Sequence, residues 1–276
     1  MTEPFFDIAV AIASFFAGLL GSLIGLGGGI IVTPLLVLGF GIDIRYAMGA
    51  ALCSVIATSS GAAAAYLRDG ISNLRIGLFL CIATTIGAVC GALMATSLDQ
   101  SLLAIIFGAA LLATVLLSLR KRSESPLLPE DSDPLARRLD LPGEVPGPEG
   151  SSAYGVAGVI PGFCVMWVAG VLSGLLGIGS GAFKVLAMDQ IMRLPFKVTT
   201  ATSNFMIGVT AAASVGIYLK KGYLDPALIS PVALGVLAGA FFGAKLLTVA
   251  PVKLLRVIFL TAVSVIAVQM IMKGLE

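Results

Sequence analysis

The sequence predicts an all-α polytopic membrane protein made of two homologous repeats, each with four long helices and one short half-helix. Of its 276 residues, 58% are apolar and 12% are charged, whereas soluble domains contain about 25% charged residues. The apolar residues are grouped in long uncharged runs, which is typical of membrane-spanning helices. This composition argues against a soluble enzyme, a nucleic-acid-binding protein and a disordered chain.

Each half of the chain contains four runs that are long enough to cross a bilayer, whose hydrocarbon core of about 30 Å needs roughly 20 helical residues. These runs cover 8–24, 46–67, 76–96, 101–119, 153–176, 198–219, 227–249 and 254–272. Two shorter runs, 30–41 and 182–192, each follow a cluster of glycines. They are too short to span upright, so we expect half-helices there.

The chain divides into a first transmembrane repeat (1–119), a linker (120–151) and a second repeat (152–276). Adding 152 to a residue number in the first half gives its counterpart without gaps, as in Gly25 and Gly177. The linker is rich in Pro, Glu, Asp and Gly, and such segments bury too little apolar surface to order themselves. We therefore expect a largely disordered linker in the cytoplasm.

The orientation of the repeats depends on how the short runs are counted. If they cross the membrane, each repeat has five segments and the repeats are inverted. Lys and Arg, leaving aside the intramembrane Lys184 and Lys245, then divide 11 to 4 in favour of the linker side. If they are re-entrant, the repeats are parallel and the division is 10 to 5. Both put the linker in the cytoplasm by the positive-inside rule. We favour inversion because it brings the two glycine segments together.

The glycine segments are candidate anion-binding loops. The first reads GLGGG over 25–29 and the second reads GIGSG over 177–181. Consecutive glycines expose backbone N–H groups, which can converge on a small anion near the start of a helix. The candidate ligand-binding residues are Gly27, Gly28, Gly29, Gly179, Ser180 and Gly181. Helix packing is the favoured role of the glycines spaced four apart, namely Gly87, Gly91, Gly239 and Gly243.

Three polar residues of the second repeat are further candidates. Lys184 follows the second glycine segment, and a charge at mid-bilayer costs about 2.5–3.5 kcal/mol. Lys184 either contacts the substrate anion or carries a coupled proton, with snorkelling to the interface as the alternative. Ser203 and Asn204 are candidate donors to an anion, because an amide in the membrane needs a partner.

These segments resemble the TauE/SafE family of sulfite-exporter-like membrane permeases. The resemblance lies in GLGGGIIVTPLL and GIGSGAFKVL, and in GAALCSVIATSSGAAAAYLRDG with its echo ATSNFMIGVTAAASVGIYLKKG. It covers nearly the whole chain except the linker, although Ser180 replaces a glycine. The resemblance implies transport of small sulfur-containing anions such as sulfite or sulfonates, coupled to an ion gradient whose ion, H+ or Na+, is left open.

The sequence thus predicts a multi-pass secondary transporter of the inner (plasma) membrane that moves a sulfur-containing anion by alternating access around the glycine loops. Two alternatives stay open: a passive anion channel, and uptake of thiosulfate or sulfane sulfur relayed by cysteines, namely Cys53, Cys81, Cys90 and Cys164. The chain has no His and no nucleophile–base pairing, so we expect no enzyme activity, metal site or cofactor. The expected partners are the anion and the bilayer, without nucleic acid, and a homo-oligomer is left open.

Overall fold

The computed structural model describes residues 3–22, 29–68, 70–119, 127–147, 150–179, 181–247 and 252–276. Within these ranges both repeats are helical. The first repeat contains α1 (Glu3–Ser22), α2 (Gly29–Pro34), α3 (Ile44–Arg68), α4 (Leu74–Ser97) and α5 (Gln100–Leu119). The second repeat contains α7 (Val159–Leu176), α8 (Gly181–Leu186), α9 (Phe196–Lys220), α10 (Pro226–Leu247) and α11 (Val252–Leu275).

Each repeat therefore has one short helix among four long ones, as the sequence predicts. The short helix α2 continues as a π-helical turn over Leu35–Gly39, and α8 continues as a π-helical turn over Ala187–Ile191. The two turns lie at matching positions of the repeats. At 1.5 Å per residue each combined helix is about 16 Å long, roughly half of a hydrocarbon core.

Four helices in the described ranges are long and apolar enough to cross a membrane: Leu74–Ser97, Gln100–Leu117, Val159–Leu176 and Phe196–Lys220. Shorter apolar helical stretches cover Phe5–Leu20, Gly29–Gly39, Pro226–Phe242 and Leu260–Leu275. The chain is thus a helical membrane protein.

Glycines bring helices of different repeats into backbone contact. Helix α4 packs along α7, and α1 packs along α10. A Cβ on Gly91 would collide with the carbonyl oxygen of Val171, and one on Gly239 with that of Phe15. The packing role predicted for Gly87, Gly91 and Gly239 is confirmed, because only a residue without a side chain allows this approach. Gly243 has no described side-chain environment.

Counterpart helices of the two repeats pack against each other in antiparallel fashion. In the α3–α9 pair, Gly49 lies against Tyr223 and Gly208 lies against Ser59, so the two sequences run in opposite directions. The α5–α11 pair behaves in the same way, since Gly108 lies against Ala267 and Gly274 against Ser101.

The prediction of a largely disordered linker over 120–151 is wrong for its described residues, 127–147 and 150–151, which are ordered together with 152–154. They form a 3-10 turn (Pro129–Asp131), helix α6 (Pro134–Arg138) and an antiparallel hairpin of β1 (Gly143–Gly147) with β2 (Gly150–Tyr154). The segment orders itself because its few apolar side chains enter a hydrophobic cluster with Ile76 and Leu80 of α4. The buried apolar residues of this linker module (127–157) are Ala136, Leu141, Val145, Tyr154 and Val156.

Asn73 fixes the linker module to the helices. Its side-chain oxygen accepts from the Ile76 N–H over 3.0 Å and so caps α4. Its Nδ2 donates to the Leu141 carbonyl and to the Tyr154 hydroxyl, each over 2.9 Å. The Asn73 backbone N–H also donates to Thr202 Oγ1 of α9 over 3.1 Å. The side chain and backbone of this one residue therefore join α4, the hairpin and α9 on the same side of the molecule.

Candidate functional site

Lys184 is a fully buried cation-forming residue in the interior of the second repeat. It belongs to α8 and has 0% of its surface exposed. Its Nζ donates to Thr210 Oγ1 of α9 over 3.0 Å. The Thr210 hydroxyl also donates to the Met206 carbonyl over 2.6 Å and lies 3.3 Å from Thr84 Oγ1 of α4. Three helices thus converge on one buried amine, and snorkelling to an interface does not describe it.

The surroundings of Lys184 contain hydroxyls and a thiol. The Cys81 thiol is near enough to interact electrostatically with the amine. Among the described residues, no carboxylate lies within 4.0 Å of Nζ. A protonated amine presents three N–H donors, and the described residues provide one acceptor. The remaining donor capacity suits an anion or water.

The first repeat has no equivalent of this network. The residues equivalent to Lys184 and Thr84 are Val32 and Val236, and both are buried with 0% exposure. Thr58 is equivalent to Thr210, but its hydroxyl bonds to carbonyls of its own helix, those of Ser54 and Val55. Among the described residues, the polar centre formed by Lys184, Thr210 and Thr84 is therefore present once, with Thr84 contributed by the first repeat.

Gly29, the described residue of the first glycine segment, approaches Gly177 of the second segment in the interior. A Cβ on Gly29 would lie 3.4 Å from the carbonyl oxygen of Gly177 and would collide with Val55 of α3. Gly177 and Gly179 have positive φ angles of 67° and 70°, which favour glycine. A Cβ on Gly179 would lie 2.9 Å from Ile207. Close packing therefore requires glycine at Gly29, Gly177 and Gly179, independently of any role in binding.

The remaining residues of the predicted loops are only partly described. Gly181 is buried and begins α8, directly before the turn that carries Lys184. Gly27, Gly28 and Ser180 lie outside the described residues.

Helix α9 carries a row of buried hydroxyls that leads to Thr210. Thr199 and Ser203 lie on the same face of the helix as Thr210, and all three are at most 2% exposed. Within the described part of the chain, the Thr199 and Ser203 hydroxyls have no hydrogen-bond partner. Buried hydroxyls without a protein partner normally form hydrogen bonds to water or to a ligand.

Asn204 is 8% exposed, and its amide donates to the Thr200 carbonyl over 3.0 Å. In the first repeat, Ala47 and Ala51 stand at the positions of Thr199 and Ser203. The hydroxyl row is therefore also specific to the second repeat.

The four cysteines differ in how deeply they are buried. Cys90 and Cys164 are exposed on the outer surface of the helices, Cys53 is half-buried, and Cys81 is buried near Lys184. None forms a disulfide. Of the four cysteines, Cys81 is the one that lies near Lys184 in the polar centre.

Neither Thr84 nor Thr210 was predicted from the sequence as a member of this centre. Both lie far from Lys184 in sequence. Comparison of the repeats would have singled out Thr84, because its counterpart is Val236, but not Thr210, whose counterpart Thr58 is also a threonine.

A second polar region lies outside the helices, between the α3–α4 connection and the linker module. It is a cavity of about 300 Å³ lined by Ser72, Asn73, Arg75, Glu144 and Tyr154, among others. Arg75 forms an ion pair with Asp140 at its edge.

Comparison with known proteins places the chain among membrane transporters. The family described as "Sulfite exporter TauE/SafE" matches residues 10–270. A relative from Bacillus subtilis (strain 168), named probable membrane transporter protein YdhB, is 30% identical over 254 residues, covering 91% of this chain and 95% of the relative. Another from the same organism, probable membrane transporter protein YunE, is 27% identical over 246 residues, covering 87% and 86%. No solved structure matches the chain significantly.

Proposed function

The chain belongs to the sulfite exporter TauE/SafE family, and on that premise we propose that it is a secondary transporter of a small sulfur-containing anion. The cargo is sulfite or an organosulfonate, and the transporter lies in the cell's inner membrane. The observation that carries the proposal is the burial of Lys184 against Thr210 and Thr84. A buried cation needs a compensating group, and an anionic cargo supplies one.

The binding region combines the glycine segments with the polar centre. Backbone N–H groups at Gly27, Gly28, Gly29, Gly179, Ser180 and Gly181 would hold the oxyanion. Lys184 would add charge, and Ser203 and Asn204 would add donors on the linker side. The approach of Gly29 to Gly177 supports this arrangement, because it brings the two loops into one region.

The antiparallel packing of counterpart helices supports inverted repeats. A two-fold axis along the helices would make each helix parallel to its counterpart. An axis perpendicular to the helices makes them antiparallel, as in the α3–α9 and α5–α11 pairs. Repeats related by an axis in the membrane plane suit alternating access, because exchange of their two conformations opens the site to the opposite side.

The proposal is tested by binding followed by transport. Purified protein is screened by thermal shift against sulfite, thiosulfate, sulfoacetate and taurine. A ligand at 100 times its Kd stabilises the native state by about 2.7 kcal/mol. The Lys184→Met variant should lose this shift. Nitrate, a small anion without sulfur, serves as the control.

Transport is then measured in proteoliposomes. A carrier saturates with substrate and exchanges internal for external label, whereas a channel passes unsaturated current. Absence of both a shift and a flux for every sulfur anion would refute the proposal. Saturation without exchange would also argue against alternating access.

A further inference from the structure

Lys184 lies where a permanent positive charge is unfavourable in the empty protein. Its side chain is fully buried, and it bonds to one hydroxyl. Removing an ammonium from water without an opposite charge is so costly that buried groups usually become neutral instead. An anion placed beside the amine would reverse this preference.

The elements packed around α8 provide little compensating charge. Helices α5 and α7 have no Asp, Glu, Lys or Arg in their described ranges. The basic residues of α9, Lys197 and Lys220, stand at its two ends. The other buried titratable groups on the surrounding elements are Cys81 on α4, Tyr218 on α9, which donates to the Gly174 carbonyl, and Asp189 on the π-helical turn after α8.

We propose that Lys184 is neutral in the empty transporter and takes up one proton together with the anion, so that H+ is the coupling ion. This inference rests on the proposed function and adds which ion gradient drives the transport. The neutral amine binds a proton as the anion arrives. With a monovalent cargo, the resulting ammonium–anion pair has no net charge while the site changes its access from one side of the membrane to the other. On the other side the anion leaves and the ammonium returns its proton to water.

The hydroxyl row of α9 provides the route for this proton. Thr199 and Ser203 lead from the linker side towards Thr210 and Lys184, and their hydroxyls have no partner among the described residues. Water between them would form a chain to the amine. The eleven residue steps from Thr199 to Thr210 correspond to about 16 Å of helix.

The first experiment separates proton coupling from simple charge attraction. Proteoliposomes are loaded with a pH indicator, their membrane potential is held at zero, and uptake of labelled ethanesulfonate and sulfite is measured with and without an inward acid gradient. Ethanesulfonate stays ionised at every pH used. In the wild type, acid outside should accelerate uptake, and protons should enter with the anion.

The informative variant is Lys184→Arg, because a guanidinium stays protonated at every accessible pH. Relative to its own rate without a gradient, this variant should lose the acceleration by external acid by about tenfold or more. An arginine variant that responds to the gradient as the wild type does would overturn the inference. So would wild-type uptake without proton entry, and either result would leave the proposed function intact.

The second experiment needs no transport and remains informative if the arginine variant fails to fold or if no cargo is found. Unfolding in mixed micelles is compared for wild type and Lys184→Met between pH 7 and 9. An amine that is neutral in the native state gains a proton on unfolding, so the wild type should gain stability with pH relative to the variant. One proton corresponds to at most about a tenfold change in the unfolding equilibrium per pH unit. Parallel pH profiles would show a charged native amine and reject the inference.

Discussion

Lys184 on α8 donates a hydrogen bond of 3.0 Å to Thr210 on α9, and this contact joins the short helix to the longest described helix of its repeat. The Thr84 hydroxyl of α4 lies 3.3 Å from the same oxygen. A single hydroxyl thus connects three helices around a buried amine. Helix α8 can therefore move relative to α9 only if the hydrogen bond between Lys184 and Thr210 breaks.

Replacing Thr210 with valine should impair transport more than it changes the fold. The substitution keeps the shape of the side chain but leaves the Lys184 amine without its described acceptor. An unsatisfied buried donor costs about 1–3 kcal/mol, which corresponds to roughly 5- to 150-fold in transport rate. Initial uptake of ethanesulfonate into proteoliposomes measures the effect.

The matched control is Thr58→Val at the equivalent position of the first repeat, where the hydroxyl bonds only to its own helix. It should transport at close to the wild-type rate. Equal losses in the two variants would assign the effect to helix packing rather than to Lys184.

Substitution of Gly91 by alanine should destabilise the protein. The added methyl group meets the Val171 backbone, which cannot move aside as a flexible side chain could. Overpacking of this kind costs about 1–3 kcal/mol. The midpoint of unfolding in mixed micelles reports the change. Gly216→Ala is the control, because a Cβ at Gly216 meets nothing within 4 Å, and an equal effect there would contradict the packing explanation.

Inverted repeats predict that the C-terminus and the linker module lie on opposite sides of the membrane. Glu276 and Glu130 are both exposed, so each can be replaced by cysteine in a background without the native cysteines. A membrane-impermeant maleimide added to intact cells should label Glu276→Cys and spare Glu130→Cys until the cells are opened. Labelling of the two positions from the same side would support parallel repeats instead.

Cys90 and Cys164 should be dispensable for transport, because both thiols lie on the outer surface of the helices. Their serine variants should retain the wild-type rate. Cys81→Ala should lower it severalfold at most, through altered surroundings of Lys184. Initial rates are compared for thiosulfate and ethanesulfonate. A loss confined to thiosulfate in the Cys90 or Cys164 variant would favour the cysteine relay over the proposed mechanism.

The linker module should loosen at alkaline pH. Burial raises the pKa of the Tyr154 phenol, and the hydrogen bond from Asn73 offsets part of that rise. A raised native pKa means that the stabilisation is complete below the unfolded value of about 10 and is lost as the pH rises through the native value. The tyrosinate absorbance of wild type minus Tyr154→Phe should therefore titrate above the range of free tyrosine. A difference spectrum that titrates with free tyrosine would show an undocked hairpin.

Much of the architecture could be predicted from the sequence because the responsible signals are local. Long uncharged runs identify the membrane class, the offset of 152 residues identifies the duplication, and glycines four apart indicate close helix packing. The short helices follow from the lengths of their apolar runs. Each of these features is determined by neighbouring residues along the chain.

The tertiary structure decided the rest. Helix pairing in a membrane depends on side-chain shape and hydrogen bonding rather than on apolar burial, since lipid is as apolar as the helices. Hydropathy therefore gives no indication that α4 pairs with α7, or that Thr84 and Thr210 reach Lys184. The linker illustrates the same point, because Leu141 and Tyr154 order it only by contacting α4, far away in the sequence. The sequence by itself determined which segments are helices and how the chain repeats, and only the folded chain determined which polar side chains meet.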